Sequence, residues 1–129
     1  LAIHLPGAPE AYILQSAVFY SSGQEFVDAA EQRKLPSDVQ RKVAKYFSDN
    51  AEQIQSVISL PLSFTLHSEQ QIEKYEYVLN IHCDRQIQAS DSQVVLFESL
   101  ISPFLASLAE KIPFIDIQSV ILSSLQEEE

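Results

Sequence analysis

The chain of 129 residues contains two glycines and a single cysteine, and these shortages exclude several kinds of site. Phosphate-binding loops and glycine hairpins need glycine at several fixed positions, which two glycines cannot supply. One cysteine cannot form an internal disulfide, so the framework of small secreted domains is absent and a cytoplasmic location is expected. Because a Cys/His zinc site also needs a second cysteine, we expect no bound metal and no other cofactor.

The sequence has neither methionine nor tryptophan, and it begins with leucine. We therefore expect residues 1–129 to form a single α+β domain that belongs to a longer chain or to a processed product. No apolar run approaches the roughly 20 residues that a transmembrane helix requires, so no membrane insertion by this segment is predicted.

The chain carries 18 acidic and 8 basic residues, which gives a net charge of −10. A field of this sign repels phosphate backbones and anionic lipid surfaces, so nucleic acid is not an expected partner. The apolar fraction of 46% and the charged fraction of 20% are typical of a globular protein.

The first twenty residues carry weak structural patterns. Residues 1–10 include two prolines and a glycine, which predict an extended arm. Residues 11–20 fit both a strand and a helix, and their aromatic and β-branched side chains favour the strand.

Two segments, 22–25 and 37–40, begin with serine and end with Glu or Gln, a spacing typical of helix starts. The first predicts a short helix that ends before the proline at position 36. The second predicts a helix over about 37–54 with one apolar side. That side consists of Val39, Val43, Tyr46, Phe47 and Ile54.

Residues 56–68 and 73–88 alternate apolar and polar side chains, which predicts the two strands of a β-hairpin. The apolar positions are Ile58, Leu60, Leu62, Phe64 and Leu66 on the first strand and Tyr75, Tyr77, Leu79, Ile81, Cys83 and Ile87 on the second. The most compact register that joins the two apolar faces pairs Ile58 with Cys83. Because Pro61 cannot donate to a ladder, the first strand is expected to be an edge or to bulge there.

Residues 92–111 repeat apolar side chains with a helical period. The stripe consists of Val94, Phe97, Ile101, Phe104, Leu105, Leu108 and Ile112. Pro103 points away from this stripe, so one helix kinked at Pro103 is predicted. After Pro113 we expect a short extended piece, then a terminal helix and a frayed acidic tail.

These elements together predict an α+β fold. Its antiparallel sheet contains the long hairpin, and the helices near 37–54 and 92–111 cover one face of that sheet.

The sequence His82-Cys83-Asp84 is the most conspicuous candidate for chemistry. Because adjacent side chains of a strand point to opposite faces, Cys83 is predicted to lie in the apolar core, away from its two neighbours. His82 and Asp84 share the polar face and are weak catalytic candidates, with Asn80 beside them in a cleft. His67 is expected about 26 Å along the strand from His82, which is too far for a shared metal ion.

Five of the eight basic residues fall within thirteen successive positions that end at Lys45. Arg41 and Lys45 are weak candidates to contact a phosphate or an acidic partner, with binding that salt should weaken. The alternative is a solvated helix face with ion pairs four residues apart, Asp38 with Lys42 and Lys45 with Asp49.

No catalytic constellation emerges from the sequence, because G-x-S-x-G is absent and no pair of carboxylates is favoured by its spacing. We therefore expect a non-catalytic protein–protein interaction module, such as an adaptor, a chaperone-like protein or an assembly subunit. Its partner would be another protein or a second copy of this chain in a homo-oligomer. The alternative is a small-ligand-binding domain or an enzyme that uses the polar sheet face around His82 and Asp84.

Overall fold

The computed structural model describes residues 4–67 and 69–127, and for residues 113–124 and 127 it describes the backbone alone. The elements are α1 (Ala8–Leu14), β1 (Val18–Tyr20), α2 (Gly23–Gln32), α3 (Ser37–Asp49), β2 (Ser56–His67), β3 (Ile72–Cys83) and α4 (Asp91–Glu127). The three strands form one antiparallel sheet in the order β1-β2-β3, and helices pack against it. The predicted α+β fold is confirmed.

The hairpin of β2 and β3 is confirmed, but β3 ends at Cys83 rather than at residue 88, and the register differs from the predicted one by two residues. Ile58 pairs with Ile81, and Cys83 pairs with Ser56. A shift of two residues keeps every side chain on its face, so the alternation of apolar residues does not distinguish the two registers. The observed register pairs His67 with Ile72, which closes the hairpin with a shorter loop at a lower entropic cost.

Pro61 lies on β2 beyond the short stretch that pairs with β1. β1 pairs with Val57, Ile58 and Ser59 alone, so at Pro61 the strand has β3 on one side and no paired strand on the other among the described residues. The expectation of an edge at this proline is therefore met on one side of β2.

The helices near 37–54 and 92–111 cover opposite faces of the sheet, which corrects the prediction that they share one face. Leu60 of β2 forms a core with Leu105 and Ala109 of α4. Val57 of the same strand packs against Phe47 of α3. Even and odd positions of a strand point to opposite faces, so these two clusters lie on opposite sides of the sheet.

The second face is covered at Ser59, whose small side chain is hydrogen-bonded. Ser59 is almost fully buried there, and so is Ser56 on the opposite face, which α4 covers. The Ser59 hydroxyl donates to Asn80 Oδ1 at 2.7 Å, and the Ser56 hydroxyl donates to the carbonyl of Arg85 at 3.0 Å. A buried hydroxyl with a partner carries little penalty, so serine at these positions does not mark a solvated face.

The N-terminal region contains a helix where an extended arm was predicted. Residues 8–10 form the first turn of α1, a position in which Pro9 loses no hydrogen bond. α1 ends at Leu14, and its C-cap residue Gln15 has a left-handed φ of 52°. Residues 11–20 thus hold the end of a helix and then β1, so the strand favoured for this segment is correct for its last three residues.

α2 begins as predicted, whereas α3 differs from its prediction at both ends. The Ser22 hydroxyl accepts a hydrogen bond from the Glu25 backbone N–H at 3.2 Å. At α3, the N-cap is Pro36 rather than a serine, and no side chain caps the helix. α3 ends at Asp49 instead of near position 54. Asn50, which follows Asp49, donates a hydrogen bond from its side-chain amide to the carbonyl of Tyr46 at 2.8 Å.

α4 is one helix of 37 residues, about 55 Å long at 1.5 Å per residue. The extended piece predicted after Pro113 is wrong, because the helix continues to Glu127. Pro103 lies inside the helix without ending it, and a kink there stays a prediction. The last two residues of the predicted acidic tail lie outside the described residues.

Candidate functional site

Cys83 and His82 lie on opposite faces of the sheet. Cys83 lines an apolar cavity of about 340 Å³ under the first turns of α4, together with Ile81 and Ile87. Its partner across the hairpin is Ser56 rather than Ile58. The cysteine is half-buried and lines the cavity, so it lies on the apolar face without being enclosed in the core.

His82 and Asn80 line a groove on the other face, between β3 and the helices α1 and α3. Asp84 follows the end of β3, is exposed, and lies with Oδ1 3.5 Å from Nε of Arg85. It does not contribute to the groove. The structure therefore brings two of the three polar candidates together and leaves Asp84 outside.

The two histidines of the hairpin are far apart. His67 pairs with Ile72 rather than with Lys74, and His82 pairs with Val57. Ten residues of β2 separate these positions, which corresponds to about 33 Å. Within residues 4–67 and 69–127, no group of three or more His, Cys, Asp and Glu side chains is placed to hold a metal ion.

The basic segment is only partly neutralised. Lys45 forms the predicted ion pair with Asp49, and both side chains are largely exposed. The predicted pair of Asp38 with Lys42 does not form, and Lys42 has no ion-pair partner in the described part of the chain. Its side chain instead lines the same groove as His82. Arg41, the other candidate in this segment, is exposed.

Arg33 belongs to a polar network that the sequence spacing did not predict. Its Nη2 atom lies 2.5 Å from Glu10 Oε1, and the Tyr20 hydroxyl donates to Glu10 Oε2 at 2.6 Å. The Arg33 guanidinium also donates to the Tyr20 oxygen at 3.2 Å. These bonds join α1, β1 and the end of α2. Burial and the hydrogen bond to the Glu10 carboxylate raise the pKa of Tyr20 above its usual range.

This pKa shift predicts a loss of stability in alkali. Above about pH 10 the tyrosine of the unfolded chain ionises, whereas Tyr20 of the folded protein stays neutral. Below pH 10, Tyr20 is therefore expected to give the free energy of unfolding no dependence on pH. Above pH 10, the free energy of unfolding should fall as the pH rises. In urea titrations between about pH 9 and 11.5, Tyr20→Phe should show a shallower decline than the parent protein. Parallel pH profiles for the two proteins would contradict the prediction.

The outward side of α4 carries a row of large apolar side chains. Leu96, Leu100, Phe104 and Leu108 follow one another at intervals of four residues, so they lie on one stripe of the helix. We call these four residues the outer stripe. Their side chains are 58%, 67%, 74% and 38% exposed, respectively.

The sequence prediction placed Phe97, Phe104 and Leu108 in the buried stripe, and for these three residues it is wrong, because all of them are exposed. The helix buries Leu105 and Ala109 against the sheet and turns Phe104 to solvent. α4 is apolar on nearly all sides, so its periodicity does not define which side faces the core. A helix that is apolar on nearly all sides cannot bury all of them against one sheet, and this feature of the sequence could have indicated an exposed apolar face.

The outer stripe carries no charge, although the chain as a whole is strongly acidic. Between Ser92 and Ala109 the only charged residue is Glu98. Its carboxylate accepts a hydrogen bond from the Ala17 backbone N–H at 3.3 Å, so it points towards the body of the protein.

One segment of the described residues, Asp91–Ile112, is long and apolar enough to cross a membrane by length and composition. The expectation of no such stretch rested on uninterrupted apolar runs, which serines break in this helix. The same segment supplies Leu105 and Ala109 to the core formed with Leu60. The core helix of a soluble protein meets the same criterion but is mostly buried, whereas 11% of the apolar stretch in this segment is buried.

Comparison of the chain with protein-family models, with curated proteins and with solved structures gives no match. The functional argument therefore depends on two features of the molecule, the outer stripe of α4 and the groove that His82 and Lys42 line.

Proposed function

We propose that this chain is a non-catalytic protein–protein interaction module that associates with a second copy of itself through the outer stripe of α4. The supporting observation is the exposure of Leu96, Leu100 and Phe104, from 58% to 74%, on an uncharged helix face. Contiguous apolar surface of this kind is uncommon on monomers and is typical of protein interfaces. Covering it removes apolar area from water, which is the main favourable contribution to association.

A second copy fits this surface because the outer stripe is complementary to itself. Its four residues are evenly spaced along the helix about the level of Ser102. A twofold axis at that level would relate two antiparallel α4 helices. It would bring Leu96 of one copy towards Leu108 of the other, and Leu100 towards Phe104. Twofold dimers use the same patch on both subunits in this way. Ridges of side chains four residues apart are also the commonest packing element between helices.

Charge favours the same partner over a basic protein. The outer stripe offers no carboxylate to a cationic surface, and the acidic residues that give the net charge of −10 lie elsewhere in the chain. Two copies repel one another through that net charge, and an uncharged contact face minimises the repulsion. Added salt should therefore strengthen the dimer, whereas it would weaken a complex with a basic partner.

A bilayer is a less suitable partner for this helix. Insertion of Asp91–Ile112 would remove Leu105 and Ala109 from the core that they form with Leu60. The negative net charge also opposes binding to anionic membranes.

Leu100→Glu combined with Phe104→Glu is expected to convert the dimer into a monomer. The parent protein should sediment as a species of twice 14.5 kDa, with tighter association at 0.5 M than at 0.05 M salt. The variant places two carboxylates opposite two others, so its dissociation constant should rise at least about tenfold, or about 1.4 kcal/mol. Sedimentation velocity over a range of concentrations measures both effects.

The matched control is Ile72→Glu on β3. Ile72 is 73% exposed, so this variant adds one carboxylate, against two in the double variant, at an equally exposed apolar position away from α4. It should leave association unchanged. A parent protein that stays monomeric at high salt would contradict the proposal, as would equal effects of the two variants. Flotation with neutral phosphatidylcholine vesicles that the double substitution abolishes would assign the stripe to membranes instead.

A further inference from the structure

The groove beside His82 is independent of α4 and has a volume of about 430 Å³. Its apolar surface comes from the N-terminal segment, α2, α3 and β2, including Pro6, Phe26, Val43, Phe47 and Val57. This volume is more than twice that of a 150 Å³ cavity that accepts benzene, so an apolar group of about ten non-hydrogen atoms fits it.

The N-terminal wall of the groove is held in a defined position. Pro6 is fully buried, and Gly7 adopts a φ of 81°, which favours glycine. A Cβ atom at Gly7 would lie 2.8 Å from the Phe26 ring, so the absence of a side chain lets the backbone approach that ring. A wall fixed in this way lowers the entropic cost of binding in the groove.

The charge of the groove is opposite to that of the protein. The described residues that line it include Lys42 and His82 but no Asp or Glu, in a chain with 18 acidic residues. Lys42 has no ion-pair partner in the part of the chain that the structure describes. An ammonium group at the rim of an apolar groove therefore remains available to an anion.

Asn80 adds a hydrogen-bond donor to the same groove. Its Oδ1 atom accepts from the buried Ser59 hydroxyl at 2.7 Å, which leaves the amide nitrogen as the free end of the side chain. That nitrogen has no hydrogen-bond partner among the described residues. The groove thus combines an apolar floor with an ammonium group, an amide N–H and an imidazole.

We propose that this groove binds a small amphipathic carboxylate, with its carboxylate at Lys42 and Asn80 and its hydrocarbon part on the apolar surface beside Phe47 and Val57. A carboxylate accepts hydrogen bonds from both donors, and the single negative charge matches the single ammonium group. The hydrocarbon part supplies most of the affinity through the apolar area that it buries. His82 borders the carboxylate end, and Asp84 has no part in the site. The site does not depend on dimerisation through the outer stripe.

Decanoate is a suitable probe, because it has ten carbon atoms and one carboxylate. Calorimetric titration of the full chain, below the micelle concentration, is expected to show one site. Decanol should bind the same site more weakly, and acetate should not bind measurably. Lys42→Ala should weaken decanoate binding at least about fivefold and leave decanol binding unchanged. The control is Lys45→Ala on the same helix, which removes an equal charge from an exposed lysine outside the groove and should change neither affinity.

Amide chemical shifts locate the bound decanoate. Val43 and His82 should shift on titration, whereas Cys83 in the cavity under α4 should not. The Leu100→Glu/Phe104→Glu variant should bind decanoate with the parent affinity, which separates this site from the outer stripe. No binding of decanoate would overturn the proposal, as would equal losses in Lys42→Ala and Lys45→Ala, an unchanged affinity in Lys42→Ala, or shifts confined to α4.

Discussion

Leu60→Ala is expected to lower the free energy of unfolding by about 2–5 kcal/mol, the largest effect of any substitution considered for this protein. Leu60 is fully buried at the centre of the core between β2 and α4. The substitution removes the transfer free energy of the lost methyl groups and leaves a cavity. Its neighbour Ala109 is already small and fully buried, so at this position α4 has no larger side chain that can fill the space.

Urea denaturation followed by far-ultraviolet circular dichroism measures this effect in a chain without tryptophan. The matched control is Leu66→Ala, which changes the same residue type on the same strand and face. Leu66 is 41% exposed, so its loss should be smaller, below about 1 kcal/mol. Similar losses at the two positions would show that the core is not centred on Leu60.

Arg33→Met is expected to lower the free energy of unfolding by about 2 kcal/mol. The Glu10 side chain is 12% exposed, so removal of its cation leaves a largely buried carboxylate with fewer partners. Breaking a fully buried pair costs about 3–5 kcal/mol, and the 25% exposure of Arg33 places this pair below that range. The variant should also loosen the attachment of α1, because Arg33 Nη1 donates to the carbonyl of His4 at 3.3 Å.

A double-mutant cycle tests the interaction directly. Arg33→Met with Glu10→Gln should cost less than the sum of the two single substitutions, because the second change removes the unpaired charge. The control is Lys45→Met, which breaks the exposed pair with Asp49 and should change stability by less than about 0.5 kcal/mol. If Arg33→Met and Lys45→Met lower the free energy of unfolding equally, the Glu10–Arg33 pair contributes no more to stability than a surface ion pair.

The hairpin shows which features of the fold the periodicity of the sequence predicts and which it does not. Twelve residues of alternating side chains in each strand define β2 and β3 and the face of each residue, and these predictions are confirmed. The register is not defined, because pairing Cys83 with Ile58 or with Ser56 leaves the same side chains on the same faces. Only the length of the closing loop and the packing of α4 distinguish the two.

The candidate sites were predicted less completely than the fold. His82 and Asn80 share a face, as alternation requires. Their groove also needs α1, which was not predicted because the prolines and glycine of residues 1–10 favoured an extended arm. Lys42 was assigned to an ion pair with Asp38 by its spacing, and that pair does not form. The contact between Glu10 and Arg33 joins residues 23 positions apart, which no local pattern indicates.

The sequence by itself determined the α+β class, the two long strands, the start of α2 and the separation of Cys83 from His82. Each of these follows from the period of the backbone or from hydrogen bonds over three or four residues. The tertiary structure alone decided which side of α4 is buried, that the serine-bearing face of β2 is covered, and that Lys42 lines a groove. These features depend on contacts between distant segments, and in an evenly apolar helix or a face of small serines several packings satisfy the same local pattern.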